Sequence, residues 1–206
     1  GLALAGMVNT LAMAIALLNS VVLALYAVAL QGRLLVGNAS ISYLVGSSFL
    51  FGGAVMGNLL LPGLLFLLAF FANLAREIVK DLEDLAGDRK GLAKLAQQAS
   101  KLRAKVEQML GIGKGKSLAL RFGEPLARAA AAVTLLIAIG LSPLPYLLGT
   151  LSFSYLLAVL PADAAFLSVI YGLAQGDKKY GKLSKRIKLA MLLGMLAFVA
   201  GILIRL

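Results

Sequence analysis

Asp81, Asp84 and Asp88 recur, with Glu77 one turn earlier, along Asn73-Leu-Ala-Arg-Glu-Ile-Val-Lys-Asp-Leu-Glu-Asp-Leu-Ala-Gly-Asp88. At about 100° per residue these four acids fall within about 60° of one another, so a helix carries them on one stripe. Like charges packed that closely repel unless a cation sits among them. The chain has no Cys and no His, which removes thiolate and imidazole ligands and leaves oxygen donors alone. A hard divalent cation suits such donors, Mg²⁺ first, above all where substrate phosphates complete its coordination. A plainer reading is a helix that gathers charge as it leaves a membrane, with Lys80, Glu83 and Arg89 simply solvated. Asn73, Arg76 and Glu77 weigh against it, because they come before the expected interface, where ionisable groups are costly and usually functional.

The elements that must hold this stripe are membrane helices. Hydrophobic residues make up 61% of the chain and charged residues 14%, and the mean hydropathy is +0.93, values that belong to integral membrane proteins. Apolar helical stretches cover residues 11–30, 36–56, 60–82, 126–144, 149–174 and 186–204, each near the roughly 20 residues that cross a bilayer. Residues 1–8 read either as the tail of a preceding helix with a bend at Asn9-Thr10 or as part of one long tilted helix. The expected fold is therefore an all-α polytopic bundle forming a single domain over 1–206. The chain begins in an apolar run without a basic leader, so the first segment is expected to lie inside a longer protein.

All basic residues except Arg205 cluster around Arg33, from Arg76 to Arg128, and from Lys178 to Lys188, which are alternate connections. The connections Gly57-Asn-Leu-Leu-Leu-Pro-Gly63 and Ser142-Pro-Leu-Pro145 hold none. The positive-inside rule puts the basic loops, and with them the carboxylates, at the cytoplasmic face. It also accounts for the net charge of +11 better than nucleic-acid binding does.

The longest connection, 89–125, places Leu92, Leu95, Ala99, Leu102, Val106, Met109 and Leu110 at helical spacing among lysines. It reads as an amphipathic helix on the membrane surface, a cover over a site mouth, or a solvated loop. Within it, Gly111-Ile-Gly-Lys-Gly-Lys-Ser117 fails as a phosphate loop, since Leu110 stands where glycine is needed and no strand precedes it. Lys116 remains able to hold a phosphate or to serve as one more interfacial lysine. Asp163, without an acidic partner, is expected to cap its helix or bond a neighbouring one. Gly46, Gly52 and Gly53 are expected to let helices pack closely.

Several segments together resemble the UbiA-type intramembrane prenyltransferases. Arg76-Glu-Ile-Val-Lys-Asp-Leu-Glu-Asp-Leu-Ala-Gly-Asp88 is similar to that family's second aspartate-rich motif. Leu17-Leu-Asn-Ser-Val-Val22, Val36-Gly-Asn38, Tyr43-Leu-Val-Gly-Ser-Ser-Phe-Leu-Phe-Gly-Gly53 and Ser184-Lys-Arg-Ile-Lys188 extend the likeness over nearly the whole chain, nearest the archaeal digeranylgeranylglyceryl phosphate synthase branch. The resemblance implies about six helices of a nine-helix bundle around a cavity, in which Mg²⁺ joins two aspartate-rich motifs to an isoprenoid diphosphate. It assigns Asp84 and Asp88 as metal ligands and Asp81 as a third ligand or orienting group. Asn73, Lys80 and Glu77 would stand behind them, and Arg33 takes the place of the family's Tyr and Lys near the diphosphate. The first aspartate-rich motif has no counterpart here, and the link before Lys116-Ser117-Leu118 is extended across 91–113.

The implied reaction is Mg²⁺-dependent transfer of a geranylgeranyl group from its diphosphate to geranylgeranylglyceryl phosphate, a lipid-like acceptor. Within the same class an aromatic ring or a quinone precursor could accept instead, because the acidic motif does not choose the acceptor. A cation or solute transporter, which would bind an ion through the same carboxylates, and a non-catalytic membrane subunit are the readings from other classes.

Overall fold

A computed structural model describes residues 1–30, 35–96 and 123–204, with side chains to Gly87 in the middle stretch. Helix α1 (Leu2–Val8) ends at Asn9, whose extended backbone and side chain start α2 (Thr10–Leu25). The Asn9 Oδ1 accepts from the Ala12 N–H at 2.7 Å, and its Nδ2 donates to the Ala54 carbonyl at 2.8 Å. One amide thus breaks the apolar run, caps the next helix and ties it to a neighbour, which decides for the bent alternative. A π turn over Tyr26–Leu30 finishes α2.

Helix α3 (Val36–Met56) and helix α4 (Leu60–Ala96) form a hairpin. Its turn needs Gly57 at φ +70° and is closed by Asn58 Oδ1 accepting from the Leu60 N–H at 3.0 Å. Gly46 and Gly53 bring the two helices together: a Cβ at Gly46 would lie 2.9 Å from the Phe66 carbonyl oxygen, and one at Gly53 would lie 2.7 Å from the Pro62 ring. Gly52 does not share that role, because it faces open space with nothing within 4 Å. Helix α4 is longer than its hydrophobic stretch alone predicts, since residues 83–96 continue the same helix past the acidic stripe. Beyond Ala96, the amphipathic segment expected within 89–125 lies outside the described residues.

Helix α5 (Glu124–Leu141) opens with Pro125 in its first turn, where the missing N–H costs nothing. A short α6 (Leu144–Leu147) follows, then α7 (Phe153–Ala174) and α8 (Tyr180–Leu203). Pro161 sits inside α7. Six of these elements are long and apolar enough to cross a membrane, in the places the hydropathy predicts.

The core between α4, α5, α7 and α8 is built from Ile78, Val79, Leu82, Leu135, Val169, Leu183 and Ile187, with the small residues Ala75, Ala131 and Ala190 buried among them. Small residues at helix crossings let backbones approach where lipid offers no hydrophobic drive for association. The opposite faces expose Leu157, Leu160, Leu189, Leu192 and Val199, the surface a hydrocarbon solvent calls for. Where α7 begins and α8 ends, Ser152 donates to the Gly201 carbonyl at 2.9 Å and to the Ile204 carbonyl at 2.7 Å, and Ser154 also bonds the Ile204 carbonyl. These hydroxyls satisfy carbonyls that the end of α8 leaves without intrahelical partners.

Candidate functional site

The acidic end of α4 is held against α3 by a ladder of polar side chains. Asn38 Nδ2 donates to Asp81 Oδ2 at 2.9 Å. One turn along α3, Ser42 donates to the Asn38 carbonyl at 2.7 Å and accepts from Asn73 Nδ2 at 3.2 Å. Arg76 pairs with Glu77 and reaches Asn73 Oδ1 at 3.5 Å. Asn73 and Ser42 are buried, Asp81 is half-buried, and Lys80 and Asp84 are exposed. Buried amides and hydroxyls are tolerated in an apolar bundle when every one finds a partner, and this ladder supplies them.

The sequence-predicted site residues therefore divide. Asp81 and Asn73 meet α3, Glu77 is engaged by Arg76, and Asp84 and Lys80 project from the same end of α4. The backbone of Asp88 continues the helix, but its side chain lies outside the described residues, as do Arg33 and Lys116. Among the described residues no three acidic groups gather closely enough to hold a metal. The donor chemistry nevertheless fits a hard divalent cation: an oxygen-only set, with Asp81 oriented by an amide and Asp84 open one turn further on.

Sequence reasoning missed Asn38 and Ser42 as site residues. Their signal was a pair of polar residues four apart in an apolar helix, which places both on one face. Asn19, inside α2, keeps its Oδ1 buried with no hydrogen-bond partner among the described residues.

The row of α3 that carries the ladder also borders a chamber. Asn38, Ser42, Val45 and Phe49 follow at spacings of four, three and four along one row of α3, and Val45 and Phe49 line a cavity of about 430 Å³. That volume lies within the range of small-molecule sites, roughly 300–1,000 Å³. Ala69 and Ala72 of α4, Phe166 of α7 and Met191 of α8 form other walls. The chamber is almost wholly apolar. Among the described residues its one carboxylate is Asp163, which accepts from Ser142 Oγ at 2.6 Å, so Asp163 bonds a neighbouring segment, one of the two roles expected of it. The Ser142 carbonyl in turn accepts from Tyr155 Oη at 2.6 Å.

A third cluster joins the chain segments on the acidic side of the bundle. Tyr180 donates to Glu124, Arg128 lies 3.9 Å from Glu124, and Glu83 packs against Gly181. Together with the Asn38–Asp81 bond, these contacts bring the start of α3, the acidic turns of α4, and the starts of α5 and α8 to one end of the molecule.

A family model described as the UbiA prenyltransferase family matches residues 1–192. The chain is 43% identical over 204 residues to the digeranylgeranylglyceryl phosphate synthase of Methanopyrus kandleri, covering 98% of this chain and 67% of that protein. It is 39% identical to the enzyme of the same name from Methanosarcina mazei, covering 98% and 63%. A solved structure described as giving insights into the biosynthesis of digeranylgeranylglyceryl phosphate synthase in membranes is similar with a TM-score of 0.77 and 33% identity, covering 98% of this chain and 64% of that one. The chain thus spans about two thirds of the length of the relatives it matches.

Proposed function

The chain belongs to the UbiA prenyltransferase family, and we propose that it forms the second aspartate-rich half of a site that transfers a geranylgeranyl group from its diphosphate to geranylgeranylglyceryl phosphate. The observation that carries this reading is that the acidic end of α4, tied to α3 through Asn38 and Asn73, sits on the same two helices whose Val45, Phe49, Ala69 and Ala72 line an apolar chamber, with Ala72 about 13 Å along α4 from Asp81. Relatives at 39–43% identity bear the name of that synthase.

In this reading Asp84 and Asp88 ligate Mg²⁺, with Asp81 as a third ligand or orienting group. The bound metal would supply charge neutralisation for the departing diphosphate. Asn38 fixes one Asp81 oxygen, so the carboxylate keeps its rotamer as substrate arrives. Arg76 offsets part of the negative field through Glu77. Lys80, Arg33 and Lys116 offer cations to phosphate oxygens. The apolar walls take the isoprenoid chain and keep water from an allylic cation until the acceptor hydroxyl attacks it. By the charge asymmetry of the connections, this end faces the cytoplasm.

The test uses the complete protein in membranes with labelled geranylgeranyl diphosphate, geranylgeranylglyceryl phosphate and Mg²⁺. Diether product is expected; it should vanish on chelation, return when Mg²⁺ is restored, and be lost in Asp84→Ala. Full activity in Asp84→Ala, or no product with Mg²⁺ present, would sink the reading. Aromatic acceptors in the same assay decide acceptor class, and ion flux in proteoliposomes without prenyl transfer would favour a transporter.

A further inference from the structure

Among the described residues, four polar side chains line the chamber: Ser48, Ser142, Tyr155 and Asp163. Three of them are turned to the protein. Ser48 donates to the Val45 carbonyl at 2.8 Å, Tyr155 to the Ser142 carbonyl at 2.6 Å, and Ser142 to Asp163 Oδ2 at 2.6 Å. Asp163 Oδ1 is different: it has no hydrogen-bond partner among the described residues, yet it is not a buried orphan like Asn19 Oδ1, because it keeps accessible surface on a residue that lines the cavity. Asp163 stands midway along α7, about 15 Å from either end at 1.5 Å per residue. Ser142 caps the end of α5 remote from Glu124, so the pair is set apart from the acidic end of α4.

Hydrocarbon offers no hydrogen bond to an open oxygen, so a ligand that brings one relieves an unmet group on both sides. An isoprenoid tail brings none. A hydroxyl does, and it suits either state of the carboxyl, since it donates to a carboxylate and accepts from an acid. One such group on a long apolar chain matches walls that are otherwise almost wholly carbon. The lining residues Val45, Met195 and Val199 are 40%, 56% and 51% exposed, so in this chain a molecule dissolved in the bilayer reaches the chamber without passing the carboxylates of α4. We propose that Asp163, held by Ser142, is a subsite for the hydroxyl of a neutral long-chain alcohol that enters from the bilayer. On the prenyl-transfer reading above, such an alcohol shares its walls with the donor's chain and competes with it; the subsite itself does not depend on that reading.

A plainer role for Asp163 is a tie between α7 and the turn after α5, for which Oδ2 suffices. The two roles separate on substitution. Asp163→Leu removes both oxygens, whereas Ser142→Ala breaks the tie and leaves both oxygens open to a ligand. A tie alone predicts that each change affects every apolar ligand equally. A subsite predicts that only Asp163→Leu removes the advantage of a hydroxyl.

The complete protein in lipid nanodiscs is titrated with geranylgeraniol and with the hydrocarbon of the same skeleton that lacks the hydroxyl, each displacing tritiated geranylgeraniol. The ratio of the two affinities is compared between parent and variants, so that their different partition into the bilayer cancels. The ratio is expected to fall by about tenfold or more in Asp163→Leu, the scale of one hydrogen bond to a charged group, and to persist in Ser142→Ala. An unchanged ratio in Asp163→Leu overturns the subsite. If Asp163→Leu does not accumulate, photolabelling of the parent decides, with an isoprenoid alcohol that carries a diazirine beside its hydroxyl: adducts at Ser142, Ala162 or Asp163 are expected, and adducts found only elsewhere overturn the subsite. A ratio that falls in a protein unable to transfer a prenyl group from any donor keeps the subsite and removes the prenyl-transfer reading.

Discussion

Among the described acidic side chains of α4, Asp81 is the one held by an amide from another helix. A ligand or orienting carboxylate gains from such a partner because its rotamer is set before the substrate arrives, and losing the partner typically costs activity rather than fold. Asn38→Ala should therefore lower prenyl transfer by about 10- to 100-fold and raise the Mg²⁺ concentration needed for half-maximal rate. Asn38→Asp, which puts a second charge against Asp81, should be worse still. Titrating Mg²⁺ in membranes with matched protein levels checks both, and an unchanged Mg²⁺ requirement would reduce Asn38 to a packing contact. The acidic stripe itself was legible from spacing alone, since four acids on one helical face is a local pattern. Asn38 and Ser42 were not, because their role depends on which helix α3 lies against, and periodicity in one segment does not identify its neighbour.

At the scale of the helices, close approach in α3 and α4 is set by two glycines of three that look alike in sequence. A side chain at Gly46 would meet the Phe66 carbonyl at 2.9 Å, a backbone atom that cannot step aside, whereas Gly52 faces open space. Gly46→Val should cost about 1–3 kcal/mol, the usual penalty of overpacking, and Gly52→Ala should be neutral or gain up to about 1 kcal/mol from helix propensity. Thermal inactivation of the two variants in detergent would show the contrast; equal effects would mean that the helices are not in register as described. The boundaries of the spans were readable because twenty-residue apolar runs leave few choices. The bend at Asn9 stayed open, since a single amide in an apolar run is either a kink or a tolerated polar group until its partner, here the Ala54 carbonyl, is known.

For the whole molecule, alternation of basic and uncharged connections supports our proposal that one end of the bundle faces the cytoplasm. The fold gathers the starts of α3, α5 and α8 with the acidic turns of α4 at that same end. Because the chain has no native cysteine, single cysteines placed at Lys182 and at Thr150 report sidedness without background. In sealed, right-side-out vesicles an impermeant maleimide should label Thr150→Cys and leave Lys182→Cys untouched until the membrane is opened; the reverse pattern would invert the topology. That all-helical architecture could be read from the sequence follows from how strongly a bilayer restricts backbone, whereas the family was legible only through the likeness of particular segments, above all Arg76 to Asp88. The chamber could not, because its walls come from five helices whose faces must be assembled before a cavity exists.

Pro161 gives α7 a property its neighbours lack. Without an N–H to offer, it leaves the carbonyl of Leu157 unbonded within the helix, and bending concentrates where the ladder is interrupted. Tyr155 lies on one side of that interruption and Phe166 on the other. Host bilayers that are thinner or thicker than the protein's own impose tilt and flexure on its spans. Flexure imposed by a host bilayer of different thickness should therefore concentrate at Pro161 and alter the spacing of Tyr155 and Phe166, which both line the cavity.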